Sequence, residues 1–258
     1  MTDNGRLAAA TLGHLEGLGV RQVVVCAGAR NLPLVRALLR RSSGGFRVWH
    51  HFDERTASFF ALGLAKKSGE PVAVLTTSGT AVAELLPATI EAYYTGIPLV
   101  LVTADRPARF RGSGAPQSIE QPGILGGYAP TFLDIKEETE LSWLLRWDGR
   151  APLHLNVCFE EPGAEESTEA WASFDCAGRE KRGHEKDELT VASFVANPRG
   201  LLILIGALPE SWRRPVEEWA GKMGSPVWAE ATSGLRESKV LEKQLLISER
   251  AVSEVEVR

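Results

Sequence analysis

The chain has 258 residues, of which 44% are hydrophobic, 24% charged and 7% aromatic, and its formal net charge is −4. This composition is typical of a globular protein with one large domain, or one domain and part of another, and it excludes disordered and fibrous classes. The acidic balance argues against nucleic acid as a partner, because phosphate binding needs a basic face. No run approaches the roughly 18 to 20 apolar residues of a membrane span. The three cysteines (Cys26, Cys158 and Cys176) form no CxxC pair, which disfavours a disulfide framework or zinc site and suits the cytoplasm.

Six short apolar runs predict β-strands, and most of the segments between them have a helical period. The predicted strands cover residues 21–27, 46–50, 71–77, 98–104, 131–135 and 152–159. This alternation predicts an α/β fold, with an open parallel sheet and helices on both faces. Several runs are apolar at successive positions, as expected for strands that are buried on both faces.

The composition changes after Phe159. Residues 161–189 are rich in charge, glycine and serine and have no apolar period, which predicts an interdomain linker. Residues 190–258 restart the strand, turn, helix and strand pattern, but about 70 residues are roughly half an ordinary α/β domain. We therefore predict an α/β domain over residues 1–160, the linker, and an incomplete Rossmann-like central domain over residues 190–258.

The segment 50–66 predicts a helix that begins with ionisable groups. Its apolar residues have the spacing of one buried helical face, and they are Ala57, Phe60, Ala61, Leu64 and Ala65. Asp53 is a candidate N-cap, and Glu54 in the first turn is favoured by the helix dipole. Capping alone would explain both acids. However, Glu54 also follows a predicted strand directly, at the end where open α/β sheets place their ligand crevices.

Two further strand ends carry residues that suit ligand binding. The third predicted strand leads into Ser78, Gly79 and Thr80, small residues that let backbone N–H groups approach a ligand. The fourth leads into Asp105 and Arg106. Each has a structural alternative, because the first three could simply cap the following helix and Arg106 could form a salt bridge with a neighbouring acid. Three such ends together predict a site at the carboxyl edge of the sheet.

Five segments occur along the chain in the order CAGARNLP, HFDERTASFFALGLAK, PVAVLTTSGTAVAELLPATIEA, PLVLVTADRPARFRGSGAPQSIEQPG and PLHLNVCFEEP. Together they resemble the MenD family, the thiamin-diphosphate-dependent 2-succinyl-5-enolpyruvyl-6-hydroxy-3-cyclohexene-1-carboxylate (SEPHCHC) synthases of menaquinone biosynthesis. The resemblance is dense over residues 20–160, and AEATSGLRES extends it into the second unit. The combination of HFDER, TSGTA and TADRP makes it specific.

The resemblance implies a transferase that decarboxylates 2-oxoglutarate on thiamin diphosphate and adds the succinyl unit to isochorismate. Residues 1–160 would be its pyrimidine-binding domain. Glu54 matches the carboxyl group that bonds the cofactor ring nitrogen N1′, which lets the aminopyrimidine remove the C2 proton. Ser78, Gly79 and Thr80 match the region of further cofactor contacts.

The resemblance also implies substrate contacts. Arg30, Arg106 and Gln117 match family positions that contact substrate. Both substrates are dicarboxylates, and a guanidinium group meets a carboxylate with two parallel hydrogen bonds. We expect Arg109 and Arg111, by contrast, to lie on a solvated loop.

The chain departs from the family pattern at several points. The family usually reads Ser-Arg-Ser around Arg30, but this chain has Ala29 and Asn31, and Pro116 replaces a usual asparagine. These changes leave the identity of the acceptor open. The chain also has no Gly-Asp-Gly sequence, which the family uses to hold magnesium in a separate C-terminal diphosphate-binding domain. We therefore expect no metal ligands in this chain, a homodimer or homotetramer with the site between subunits, and an inactive chain in isolation.

Two other functions stay open. A carboligase or decarboxylase similar to acetolactate synthase would keep the cofactor and change the reaction. A non-catalytic subunit would keep only the fold. Glu54 argues for an enzyme, because a decayed site has no mechanistic reason to retain it.

Overall fold

The structure is a computed structural model that describes residues 4–40, 45–161 and 201–248. The chain divides into two compact units, Met1–Arg179 and Glu180–Arg258. The predicted linker 161–189 lies outside the described residues except for its first residue. Residues 190–200 and 249–258 of the predicted central domain also lie outside them.

The first unit contains a six-stranded sheet in which all neighbouring strands are parallel. The strands are β1 Gln22–Cys26, β2 Arg47–His51, β3 Val72–Thr76, β4 Leu99–Asp105, β5 Thr131–Ile135 and β6 Leu153–Cys158. Their order across the sheet is β2-β1-β3-β4-β6-β5. All six predicted strands and the predicted parallel α/β sheet are therefore confirmed.

Helices connect most of the strands. They are α1 Asn4–Gly17, α2 Leu32–Arg40, α3 Glu54–Ser68, α4 Thr80–Ala83 and α5 Leu86–Thr95, with 3₁₀ helices at Ala108–Phe110, Gly126–Tyr128 and Glu138–Arg146. Pro87 stands in the first turn of α5, where its missing N–H group leaves no helical hydrogen bond unmade. It therefore marks the start of a new helix.

Side chains alternate between the two faces of the sheet and build two separate cores. Val23 of β1 belongs to a buried cluster with Leu12 of α1 and Leu34 of α2. The next residue, Val24, belongs to a second cluster with Ala61 of α3. Strands β3, β4 and β6 are buried along their whole length, which explains why their sequences are apolar at successive positions.

Helix α3 has well-defined ends. The Asp53 side chain accepts a 2.7 Å hydrogen bond from the N–H group of Thr56, which confirms the predicted N-cap. Gly69 ends the helix in the left-handed conformation, with φ of 70°, as glycine does at many helix C-termini. These two caps fix the position of Glu54, the first residue of the helix.

The strand order of the sheet reverses at β1. The next strand in the chain, β2, lies on one side of β1, and β3 lies on the other. In open α/β sheets, ligands bind outside the carboxyl ends of the strands at such a switch point. The carboxyl ends of β1 and β3 are therefore the expected position of a ligand-binding site.

The second unit contains β7 Ile203–Ile205, α6 Glu210–Met223 and β8 Val227–Ala229, and its two strands are parallel. Its core includes Ile205, Ala220, Val227 and Leu241. The strand, helix and strand order predicted for this stretch is present. Within the described residues of both units, no helix combines the length and the apolar character that crossing a bilayer requires.

Candidate functional site

Glu54 lies at the carboxyl edge of the sheet, beside the β1/β3 switch point. Its Oε1 atom accepts a 3.4 Å hydrogen bond from the hydroxyl group of Thr76, the fully buried last residue of β3. Helix α3 begins just after the edge strand β2, yet Glu54 contacts a strand two positions away in the sheet. Its carboxyl group is therefore part of the switch point.

Cys26, the last residue of β1, is close to the same carboxyl group. It is 2% exposed, and burial, followed by the negative charges of Glu54 and Asp53, raises the pKa of its thiol to about 12. The thiol is therefore neutral at physiological pH and is a poor nucleophile and metal ligand. It gives Glu54 a weakly polar neighbour on the side that faces the sheet.

The loop after β1 packs tightly against the loop after β3. A Cβ atom at Gly28 would lie 2.6 Å from the Cβ atom of Thr77, so no larger residue fits without a shift. Asn31 is fully buried and closes the β1 loop: its Nδ2 donates to the Cys26 carbonyl at 2.9 Å, and its Oδ1 accepts from the Gly28 N–H at 2.8 Å. Asn31 therefore shapes the loop that carries Arg30.

Four of the predicted site residues meet at the carboxyl ends of β3 and β4. Arg106 Nη1 donates to the Ser78 hydroxyl at 3.3 Å and to the Gln117 carbonyl at 3.1 Å. Gln117 has a positive φ of 55°, and a Cβ atom at Gly79 would lie 3.3 Å from its Cα atom. Among the described residues, Arg106 pairs with no carboxylate, and its Nε and Nη2 atoms have no partner. The structural salt bridge considered for Arg106 is not formed there.

The turn after β3 directs one of its backbone groups inward. The Gly79 N–H donates to Oε1 of Gln121 at 2.9 Å, while Gly79 itself has φ of 84° and is the N-cap of the short helix α4. Ser78 is 1% exposed, whereas Thr80 is exposed. The Gly79 amide therefore serves the fold, and Thr80 is the residue of this turn most open to a ligand.

Arg30, in the loop after β1, hydrogen-bonds to none of these four residues in the described part of the chain and contacts the segment after β6 instead. It is buried, and its Nη1 donates to the carbonyl groups of Phe159 at 3.3 Å and Glu160 at 3.2 Å. Its Nη2 forms a 2.7 Å ion pair with Glu161, whose side chain is 85% exposed. Arg30 thus already binds a carboxylate, and that carboxylate is almost fully solvated.

Arg111 lies in a charged cluster that the sequence analysis missed. Its side chain is only 20% exposed, and its Nη2 pairs with Asp105 at 3.0 Å and with Asp134 at 2.7 Å. The expectation that Arg111 sits on a solvated loop is therefore wrong, because it ties the segment after β4 to strands β4 and β5. Arg109 is 59% exposed and pairs with Glu160 instead.

Asn156 of β6 joins the same cluster. Its Nδ2 donates to Asp105 at 3.0 Å and to Asp134 at 2.9 Å. Burial alone would raise the pKa of Asp134, but hydrogen bonds from Arg111 and Asn156 and the charge of Arg111 outweigh it and lower that pKa to about 2. The Asp105 side chain is fully buried, and that of Asp134 is 18% exposed.

This cluster also has the composition of a metal site. Ligand atoms of Asp105, Asp134 and Cys158 lie within 4.8 Å of one another. The Arg111 guanidinium group, however, hydrogen-bonds to all three residues. Burial, together with the negative charges of Asp134 and Asp105, raises the pKa of the Cys158 thiol to about 12. The cluster therefore already contains its cation, and its thiol is protonated.

Comparison with known proteins shows which proteins the chain is similar to. Residues 6–124 match the family described as "Thiamine pyrophosphate enzyme, N-terminal TPP binding domain". The chain is 45% identical over 222 residues to the SEPHCHC synthase of Akkermansia muciniphila, covering 85% of this chain and 41% of that protein. It is 41% identical over 237 residues to the synthase of Bdellovibrio bacteriovorus, covering 90% and 44%. The chain matches the N-terminal part of the SEPHCHC synthase family. It spans less than half the length of these relatives.

In this synthase-related chain, the predicted site residues form four groups, of which Arg30 and Thr80 each stand alone. Glu54 lies with Thr76 and Cys26 at β1 and β3. Arg106 joins Ser78 and Gln117, and these lie beside Gly79 at β3 and β4. Arg30 contacts the segment after β6, and Thr80 is exposed at the start of α4. The structure brings the second group into direct contact and connects the first two through the end of β3.

Proposed function

We propose that this chain is the N-terminal portion of a SEPHCHC synthase, which decarboxylates 2-oxoglutarate and adds the succinyl unit to isochorismate. The names of its relatives support this reaction. The structural observation that carries the proposal is the Glu54 carboxyl group at the switch point of the sheet. That is where an open α/β fold binds its ligand.

The surroundings of Glu54 fit a pyrimidine ring. One of its oxygens accepts from Thr76, and within the described residues it has no ion-pair partner, so the second oxygen is free to bond a ring nitrogen. In this proposal the Glu54 carboxyl group would share a proton with the ring nitrogen N1′. When bound, thiamin diphosphate supplies the carbon chemistry of decarboxylation and carbon–carbon bond formation.

Arg106 fits the recognition of a substrate carboxylate. Its Nη1 is fixed by Ser78 and Gln117, while Nε and Nη2 have no partner within the described residues. These two atoms form one edge of the guanidinium group and can donate two parallel hydrogen bonds to a carboxylate. Gln117 and Ser78 would then act by orienting Arg106.

Arg30 would bind a second carboxylate only by exchange. Its Nη2 pairs with Glu161, which is almost fully solvated, and ion pairs with an exposed partner contribute little free energy. A substrate carboxylate could therefore replace Glu161 at small cost. In this proposal Arg30 binds a substrate carboxylate, and it pairs with Glu161 when no substrate is bound.

We further propose a homodimer or homotetramer in the cytoplasm, with the site completed by another subunit that also provides the magnesium ligands. An exposed aromatic surface supports a subunit contact: Phe59 of α3 is 44% exposed, and Tyr93 and Tyr94 of α5 are 40% and 73% exposed. Contiguous exposed apolar surfaces of this kind mark interaction sites. Helices α3 and α5 pack against each other, and the rings of Tyr93 and Tyr94 are in contact, with centroids 5.4 Å apart.

A substrate panel tests the reaction. The complete polypeptide that carries this sequence, supplied with magnesium and thiamin diphosphate, should release carbon dioxide from 2-oxoglutarate and consume isochorismate. The matched control replaces 2-oxoglutarate with pyruvate, the donor of acetolactate-type carboligases. Faster release from pyruvate would overturn the synthase assignment while leaving the cofactor assignment intact, and no release from either would overturn both.

A further inference from the structure

Gln121 connects two loops that carry predicted site residues. Its side chain is fully buried, and its amide group makes three hydrogen bonds, one through the oxygen and two through the nitrogen. Oε1 accepts from the Gly79 N–H at 2.9 Å, while Nε2 donates to the Ala104 carbonyl at 3.2 Å and to Asn156 Oδ1 at 2.8 Å. A buried amide with three partners has a single orientation, because rotation would leave polar groups unpaired at a cost.

The turn that contains Gly79 has no side-chain cap of its own. Gly79 is the N-cap of α4 and offers no side chain, and α4 is only four residues long. The Gly79 N–H is satisfied instead by a residue 42 positions further along the chain. The Gln121 side chain therefore satisfies the N–H group of the N-cap residue and ties the turn after β3 to the segment after β4.

The same network holds Arg106. Asn156 accepts from Gln121 and donates to Asp105. Asp105 is fully buried, and its Oδ1 accepts from the backbone N–H of Arg106 at 2.7 Å. A chain of hydrogen bonds thus runs from the Gly79 turn to the backbone of Arg106, independently of the contact between the Arg106 side chain and Ser78.

We propose that Gln121 is a positioning residue that fixes the Gly79 turn relative to Arg106, and so sets the spacing between the cofactor contacts and the substrate contacts of the proposed synthase. The effect on cofactor and substrate contacts rests on the proposed function, whereas the position of the Gly79 turn rests on the hydrogen bonds of Gln121. Small displacements matter at such a site, because a shift of about 1 Å can reduce a rate about a hundredfold.

Amide hydrogen exchange tests the geometry in the chain itself. In the unmodified chain, the Gly79 N–H should exchange slowly although it belongs to a turn. In Gln121→Met, which keeps the volume and removes the three hydrogen bonds, it should exchange at least about tenfold faster. The control is Thr89→Val, because Thr89 is equally buried but its hydroxyl bonds only to Leu85 within α5.

Three results would contradict the claim that Gln121 fixes the Gly79 turn. The first is fast exchange of the Gly79 N–H in the unmodified chain. The others are an unchanged Gly79 exchange rate in Gln121→Met and an equal acceleration in Thr89→Val. The first requires no variant, so the test survives even if Gln121→Met fails to fold.

Steady-state kinetics of the complete polypeptide test the consequence. A purely structural role for Gln121 would reduce the fraction of active enzyme, which lowers kcat and leaves KM unchanged. A positioning role should raise the KM for 2-oxoglutarate and the apparent Kd for thiamin diphosphate, each by about tenfold or more, in Gln121→Met but not in Thr89→Val. Unchanged KM and Kd would overturn the positioning role. Absence of synthase activity in the unmodified polypeptide would instead overturn the proposed function, and calorimetry of cofactor binding would then decide the role of Gln121.

Discussion

At the scale of single residues, one hydroxyl group orients the carboxyl group of Glu54. Thr76 is fully buried at the end of β3 and donates to Oε1 of Glu54 at 3.4 Å. The N-cap Asp53 fixes the backbone on the other side, through its hydrogen bond to Thr56. The second carboxyl oxygen has no hydrogen-bond partner among the described residues, so removing the Thr76 hydroxyl should weaken the orientation of the Glu54 carboxyl group.

We expect Thr76→Val to fold and to slow proton exchange at C2 of bound thiamin diphosphate by about fivefold. The substitution keeps the shape of the side chain and removes one hydrogen bond, worth about 1 kcal/mol. The measurement is deuterium uptake at C2 in the complete polypeptide, with Thr89→Val as the control. An exchange rate equal to that of the unmodified protein would show that Thr76 does not orient Glu54.

At the scale of structural elements, the segment between β4 and β5 is held by a buried charge cluster. Arg111 pairs with Asp105 of β4 and with Asp134 of β5, and Asn156 of β6 donates to both aspartates. Three strands and one loop therefore share one set of interactions. Removing one charge from such a cluster is costly, because the opposite charge then stays buried without a partner.

Arg111→Met should lower the free energy of unfolding by about 3 to 5 kcal/mol, because it leaves the buried Asp105 carboxylate without its cation. Arg109→Met is the matched control on the same loop, since Arg109 is solvated and pairs with Glu160 at the surface, and it should change stability far less. Urea unfolding at pH 7 measures both. Equal effects of the two substitutions would contradict this view of the cluster.

His154 makes the stability of this region depend on pH. It lies on β6, 2.8 Å from the Thr103 hydroxyl, and burial lowers its pKa to about 4, although the charge of Asp134 opposes this. The unfolded chain therefore binds a proton below about pH 6.5 that the folded chain does not bind until about pH 4. This contribution to stability is complete above pH 6.5 and is lost as the pH falls toward 4.

The free energy of unfolding should consequently be on the order of 2 kcal/mol lower at pH 5 than at pH 7.5 because of His154 alone. In His154→Gln, which keeps a polar group near Thr103, this part of the pH dependence should disappear. Urea titrations at the two pH values provide the measurement. An equal slope in both proteins would show that His154 is not neutral in the folded chain.

The sequence predicted what depends on local pattern. Asp53 as N-cap and Glu54 after a strand followed from residue spacing, and both features are present in the structure. The roles of Arg111 and Gln121 could not be foreseen, because their partners are set by strand order. Strand β6 lies between β4 and β5, which places Asn156 among Asp105, Asp134 and Gln121. The local sequence pattern does not specify that β6 lies between β4 and β5.

At the scale of the whole molecule, the chain provides one side of the proposed site. It covers 41% to 44% of the first three relatives, and it contains no Gly-Asp-Gly sequence. Magnesium needs hard oxygen ligands and binds together with substrate phosphates. In the proposed function, the diphosphate of the cofactor would be held outside this chain.

We accordingly predict that the 258-residue chain does not bind thiamin diphosphate with micromolar affinity in the presence of magnesium. The loss follows from the missing diphosphate contacts rather than from misfolding, so the chain should still unfold cooperatively in urea. Isothermal titration calorimetry is the measurement, with the complete polypeptide as the positive control. Micromolar binding of thiamin diphosphate by the 258-residue chain alone would contradict the proposal that the diphosphate contacts lie outside it.

The most direct measurement concerns the Glu54 carboxyl group. In the complete polypeptide with magnesium and thiamin diphosphate, Glu54→Gln should fold as the unmodified protein does and should slow deuterium uptake at C2 of the cofactor by at least about a hundredfold. The exposed Glu70 provides the control, and Glu70→Gln should leave uptake unchanged. Uptake in Glu54→Gln within twofold of the unmodified protein would remove Glu54 from the chemistry and contradict the proposed site.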